Sequence, residues 1–399
     1  MTWTPIWALP NIALDEPVES TFFALAPSDD ERVRSLLRDH HEFRKLMRQF
    51  RDIHGRRIQP ALILRRANAP KRLMISDAVV SFRDILVISS VPYARSKNLI
   101  YNNHRNQPAL SNYFWVFPWM MDRHFKHVIS VTPITHSLHE ASAVHGQSSP
   151  ELIPIQIRRR DFDEPLMNAL LDRWTSRYVA ATPTWQNIAL FRSLNIANQA
   201  CQIPSGPDAT IFDFGRIISL WASAFETLVH PGANGNVTQK EVYELFERVP
   251  WLDTRCNHRL YKTRFANKYA KRNIACWIYG QIYNCRNRFL HGNPVTFSTL
   301  KIQRSSRPIV NFAPPLYRLG LTSFLDLSLN EAPPAAADAE LFAAFIARSM
   351  EFEGPQKDAE SAIRRALITV REQERLHEAR VENARNRSRQ IQARLNSAS

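Results

Sequence analysis

One stretch constrains the fold of this chain more than any other, "ATIFDFGRIISLWASAFETLVHPG". Ile211, Phe214, Ile218, Trp221, Phe225 and Leu228 recur at alternating spacings of three and four, which on a helix of 3.6 residues per turn draws one continuous apolar seam. Such a seam is stable only against other helices, so a bundle is expected around it. A second set, Arg216, Ser219, Ser223, Glu226 and His230, follows the same spacing on another side and makes a narrow polar stripe. Either that stripe faces solvent or its carboxylate finds a partner, because an unpaired buried carboxylate costs several kcal/mol.

The chain reads as helical from Pro183 onward. "TPTWQNIALFRSLNIANQACQIP" opens on a Thr-Pro entry and stops before Pro204, Gly206 and Pro207, and "VTQKEVYELFERVP" carries Thr238 and Glu241 in capping-box spacing. A further helix is expected from about Asn273 to His291, with Ile274, Ile278, Ile282, Cys285 and Phe289 on its apolar side. "PLYRLGLTSFLDLSL" follows an irregular stretch, and an "APPAAADA" linker leads to a charged helix from about Pro355 whose end is wholly basic after Glu382. The first part is mixed. "SDDERVRSLLRDHHEFRKLMRQF" reads as one helix with Ser28 and Glu31 as its capping box, whereas "YFWVFPWMM" and "HVISVTPIT" favour strands. The expected architecture is α+β overall but mostly α, with a mixed domain over 1–180 whose role, sensor or regulatory, the sequence leaves open, a helical bundle over 181–330, and linker plus C-terminal helices over 331–399.

Charge narrows the choice of partner. The chain of 399 residues carries a formal net charge of +15, and no Asp or Glu occurs from Thr254 to Leu325. That acid-free segment holds thirteen Lys and Arg residues, among them Arg255, Arg259, Lys262, Arg264, Lys268, Lys271, Arg272 and Arg288. A merely solvated helix face mixes signs to form i,i+4 pairs, so a run of one sign points to a polyanion, and these eight residues are the candidates for nucleic-acid contact. Tyr261, Phe265 and Tyr269 interleave with them as a stripe that either stacks on bases or packs into the core. Four unpaired-looking cysteines, an N-terminus without a leader pattern and no membrane-length apolar run point to a reduced, cytoplasmic protein away from the membrane.

Within the acid-free segment lies "YNCRNRFLHGNPV", residues 283–295. Gly292 is placed to cap a helix in the left-handed conformation, and Pro294 stops it. Asn287 and His291 share one side of that helix with Tyr283 and Leu290, while Arg286 stands at the margin and can swing either way. Glu226 on the seam helix is the candidate to orient Arg286, and Tyr283 is a supporting neighbour.

An Arg, a polar residue, three further residues and a His near the end of a bundle helix resemble the signature of the HEPN superfamily, and this segment is most similar to its Apea-like branch. "RSLNIANQA", "LWASAFETL" and "PLYRLGLTSFL" are similar to the same branch, so the likeness covers roughly residues 180–330. The resemblance implies a homodimeric bundle that sets two copies of the motif around a shared groove, and a metal-independent endoribonuclease with no cofactor. Arg286 and His291 would then be the catalytic pair, with Asn287 aligning them. It further implies a stress, phage-defence or toxin effector, with an antitoxin or regulatory protein as partner. Chemistry suits the residues: RNA supplies its own 2′-hydroxyl nucleophile, imidazole moves protons near neutral pH, and guanidinium forks onto phosphate. The other reading is a non-catalytic nucleic-acid- or protein-binding module in which His291 only caps the helix through its dipole.

His124, His127, His136, His139 and His145 crowd into 22 residues and include two HxxH pairs. In strands, positions i and i+3 point to opposite sides, so neither pair chelates alone and no metal is expected.

Overall fold

The structure is a computed structural model that describes residues 3–51, 55–101, 119–129, 156–203, 209–233, 235–265, 268–328, 334 and 338–372, with separate positions between 375 and 390. The fold is mostly α with an N-terminal α/β part. That part contains β1 (Trp3–Leu9), β2 (Val18–Glu19), β3 (Phe23–Ala26), α1 (Glu31–Asp39), α2 (His41–Met47), β4 (Ala61–Arg66), α3 (Ser76–Tyr101), β5 (Trp119–Met121) and β6 (Val128–Ile129). Its strands pair antiparallel in the order β2-β3-β4-β1-β5-β6.

Side-chain alternation along the strands gives the sheet two apolar faces. Leu62, Leu64, Ala26 and Trp119 face Val33, Phe43 and Leu46 of α1 and α2. Phe23, Leu25 and Ile63 face the other way, into the main core with Phe82 of α3. The single helix expected over residues 28–50 is two helices. Asp30, not Ser28, accepts the capping hydrogen bond from Arg32 N–H at 2.9 Å, and His40 in extended conformation breaks the chain between α1 and α2.

The remaining elements are α4 (Glu164–Tyr178), α5 (Trp185–Gln202), α6 (Ile211–Leu228), α7 (Gln239–Glu247), α8 (Thr254–Asn257), β7 (Tyr261–Phe265), β8 (Lys268–Arg272), α9 (Ile274–Leu290), α10 (Ala313–Phe324) and α11 (Ala339–Arg364). Helix caps fall where local chemistry puts them. Thr184, Thr210, Thr238 and Asn273 each cap their helix with a side-chain oxygen, and Thr210 and Thr238 complete capping boxes with Asp213 and Glu241. One contacting set of buried apolar residues runs from Trp7 of the sheet to Ala366 after α11. Helix α3 lies at its centre, packed by α4, α5, α10 and α11.

The C-terminal helix begins earlier than the sequence suggests. Asp338 caps α11 at Leu341 N–H, 3.1 Å away, and the helix continues through Pro355. Its second half is part of the core rather than an appendage, with Phe352, Gln356, Ala359, Glu360 and Ile363 buried. Glu360 accepts the backbone N–H groups of Leu252 and Asp253 at 2.9 and 2.7 Å, and Arg364 reaches Asp253 at 2.6 Å. By these bonds α11 anchors the turn that leads into α8 and the basic hairpin. No helix among the described residues is long and apolar enough to cross a membrane.

Candidate nucleic-acid interface and motif site

Helix α9 carries the motif and positions everything around it. Phe225 of α6 meets Tyr279 with ring centroids 5.3 Å apart, and Phe289 lies on Gly215, so α6 and α9 run antiparallel. Long helical side chains lean toward their own N-terminus, so in an antiparallel pair they lean toward each other. Glu226 and Arg286 meet in this way at 3.7 Å, both partly buried. That separation is an ion contact, longer than a hydrogen bond. Arg286 Nη1 donates to Asn287 Oδ1 at 3.1 Å, its guanidinium lies 5.7 Å from the Tyr283 ring centre, and its buried Nε has no partner among the described residues. Burial pushes the Glu226 carboxyl above the ordinary carboxylate value, with Arg286 opposing the shift. The same burial raises Tyr279 well above its usual value, with Glu226 adding to it.

The end of α9 is a Schellman turn. Gly292, at φ +66°, donates to Phe289 C=O at 3.3 Å and Asn293 donates to Arg288 C=O at 3.0 Å, leaving His291 as the capping residue. The imidazole of His291 is exposed. Five residues of helix separate it from Arg286, a rotation of about 140° at ~100° per residue. Because the guanidinium leans back toward Tyr283 and Glu226, the chain does not bring the predicted pair together on one side of the helix.

The acid-free segment folds into a groove of about 1030 Å³. Its floor is the face of α9 that carries Trp277, Gln281, Asn284 and Arg288. One wall is the β7–β8 hairpin, presenting Lys262, Arg264 and Tyr269; the other is the returning chain with Lys301 and Arg304. Cys285 Sγ, 3.3 Å from Thr299 C=O, and the buried Leu300 and Ile302 fasten that second wall. Asn287 lines the groove, so the motif borders it, whereas Arg286 and His291 lie on other sides of the helix end.

The eight cations expected to contact RNA divide accordingly. Lys262, Arg264 and Arg288 line the groove, and Lys268 and Lys271 stand exposed on β8. Arg255, Arg259 and Arg272 are turned instead toward carboxylates that precede the acid-free run. Arg255 binds Asp253 at 2.8 Å, and Arg272 and Arg259 stand 2.6 and 3.6 Å from Glu247. Tyr261 and Phe265 share one face of the hairpin, where Tyr261 stacks on Trp277 at 5.7 Å, while Tyr269 lies on the other face, paired across the strands with Arg264 and bordering the groove. The single aromatic stripe is therefore two faces of a hairpin. Its signal was the alternation in "YKTRF", with Lys262 and Arg264 on the side opposite Tyr261 and Phe265; the signal for Trp277, Gln281, Asn284 and Arg288 was their spacing of four, three and four.

His124 sits in the turn between β5 and β6 rather than in a strand, and His136, His139 and His145 lie outside the described residues. No family model, curated protein or solved structure matches the chain.

Proposed function

We propose that this protein is a metal-independent endoribonuclease of HEPN type that works as a homodimer. The observation that carries the reading is that one helix end, bordering the acid-free groove at Asn287, holds both the Glu226–Arg286 contact and, on another side, an exposed His291. At 3.7 Å from Glu226, beyond hydrogen-bond length, the Nη2 group of the partly exposed guanidinium keeps its donors for a phosphate. In the reaction, O2′ of the bound strand attacks the adjacent phosphorus and loses its proton, the P–O5′ bond breaks, and O5′ takes up a proton. The products are a cyclic phosphate and a 5′-hydroxyl end. His291 moves one of these protons, and Arg286 stabilises the charge on the phosphorane.

Since the two side chains diverge within one protomer, the reading requires a partner to supply the second half of the site. The surface around the helix end suits that role. Phe212, Leu290 and Phe297 are 74%, 57% and 54% exposed, and the Phe297 ring meets Phe214 at 6.1 Å. Exposed apolar groups of this size on one end of a helix pair favour burial against a second copy.

The divergence of Arg286 from His291 favours a second reading, a non-catalytic RNA-binding module. Purified protein incubated with structured RNA in excess EDTA separates the two. Cleavage by the wild type that falls about 10²-fold or more in Arg286→Ala and in His291→Ala supports the ribonuclease. Intact RNA in all three samples, or activity that needs a divalent ion, leaves the binding module.

A further inference from the structure

We infer that the groove between the β7–β8 hairpin and residues 298–304 is a binding site for single-stranded RNA, with Tyr269 and Trp277 as stacking platforms. The inference rests on RNA as the ligand but not on cleavage.

Three observations carry it. First, the hairpin register sets Lys262 directly opposite Lys271. Like charges facing across two strands destabilise a sheet, and no carboxylate within the acid-free segment relieves them, so a polyanion is the natural counter-charge. Second, the groove has open aromatic surface. Tyr269 is 61% exposed, held by the Lys262 ammonium 4.5 Å from its ring centre, and Trp277 is backed on one face by Tyr261. A paired duplex hides its base faces in its own stack, whereas a single strand offers them to rings. Third, the floor carries side-chain amides, Gln281, Asn284 and Asn287, that can bond base edges or a 2′-hydroxyl. Cations on both walls, aromatic rings and amides on the floor are what a single strand with inward-turned bases requires.

The strand would then run along α9 and leave past Asn287 at the helix end. The groove thereby selects unpaired RNA and delivers it to the motif.

The test uses the full chain carrying His291→Ala, in EDTA, with a fluorescein-labelled 12-nucleotide oligouridine and a blunt RNA duplex of equal length. Fluorescence anisotropy across a salt series should show the single strand bound at least tenfold more tightly than the duplex. Tyr269→Ala should weaken it by about 5- to 100-fold while Tyr269→Phe keeps it. Lys301→Ala combined with Arg304→Ala should lower the salt slope by about 1.4, near 0.7 per lost single-strand phosphate contact. Duplex bound as tightly as the single strand, or Tyr269→Ala binding like the unsubstituted ring, would overturn the inference. A protein that binds the single strand in this way yet never cuts RNA supports the groove and sinks the ribonuclease reading alone.

Discussion

The ring of Phe289 occupies the space above Gly215: a Cβ at position 215 would stand 2.6 Å from two of its ring carbons. No side chain fits there without moving the ring, and the ring is two residues from the capping His291. Gly215→Ala is therefore expected to cost about 1–3 kcal/mol through overpacking, more than its gain in helix propensity. Urea unfolding measures the cost. A variant as stable as the wild type would mean that α6 and α9 separate freely at this end.

The Glu226–Arg286 contact yields a pH dependence. Burial raises the folded-state value of the Glu226 carboxyl above its unfolded value, so ionising it in the folded protein costs stability. The cost is present at neutral pH, shrinks as pH falls through the raised value, and is gone below the ordinary carboxylate value. Relative to Glu226→Gln, the wild type should gain unfolding free energy as pH is lowered from 7 toward 4. The opposite slope would mean that the Arg286 attraction outweighs burial. If Glu226 also orients Arg286, cleavage by Glu226→Gln should fall about tenfold in kcat, equivalent to ~1.4 kcal/mol, with KM little changed.

How far these features could be read in advance depends on how local their causes are. The capping box of α7, the start of α9 near Asn273 and the turn at Gly292 are written in four to six adjacent residues and were legible, whereas Thr184 at α5 and Thr210 with Asp213 at α6, equally local, went unread. The Glu226–Arg286 pairing was legible too, because a carboxylate on a polar stripe and an arginine at a helix margin each lacked a partner. Helix α3 was not. It is buried on nearly all sides, so it has little polar face to mark its period, and Pro92 and several serines interrupt its composition. Within it the Ser96 hydroxyl bonds Pro92 C=O at 2.8 Å, giving a partner to a carbonyl inside the helix. The hairpin β7–β8 was missed for another reason: its lysines and arginines read as a charged surface, and the alternation that defines a strand was masked by their number. The groove itself depends on the returning residues 298–304, whose approach to α9 is a tertiary fact.

Arg318 ties four helices together. It pairs with Asp163 at 2.8 Å, both 1% exposed, donates to Thr322 at 3.0 Å and also bonds Gln356 of α11. Asp163 caps α4, and its own N–H donates to Ser89 C=O of α3 at 2.8 Å. Arg318→Ala would strand a buried carboxylate, and the expected loss is about 3–5 kcal/mol by urea unfolding. Adding Asp163→Asn should recover part of it by removing the stranded charge. Because Gln356 bonds Glu360, which holds the backbone at 252–253, the single variant should also loosen the base of the basic hairpin. Faster amide exchange across 261–272 than in the double variant would show it; equal exchange would limit Arg318 to the core.

Assembly is the prediction on which the proposed chemistry turns. One chain turns Arg286 toward α6 and holds His291 as the cap of the same helix end, about 140° around it, so the proposed site needs the arginine of one subunit near the histidine of another. Sedimentation or light scattering at micromolar concentration should give twice the 46.1 kDa chain mass. Replacing Phe212 and Leu290 by Asp places charge on the exposed apolar end without touching the groove, and should yield monomers. Mixing Arg286→Ala with His291→Ala protein then gives a direct reading of a shared site. If each heterodimer keeps one intact composite site of two, an equal mixture, in which about half of the dimers are heterodimers, recovers about a quarter of wild-type cleavage at equal dimer concentration, while either variant alone does not cut. Monomers that cut RNA at the wild-type rate would instead require Arg286 to leave Glu226 and reach His291 within its own chain, and the twofold arrangement would be wrong.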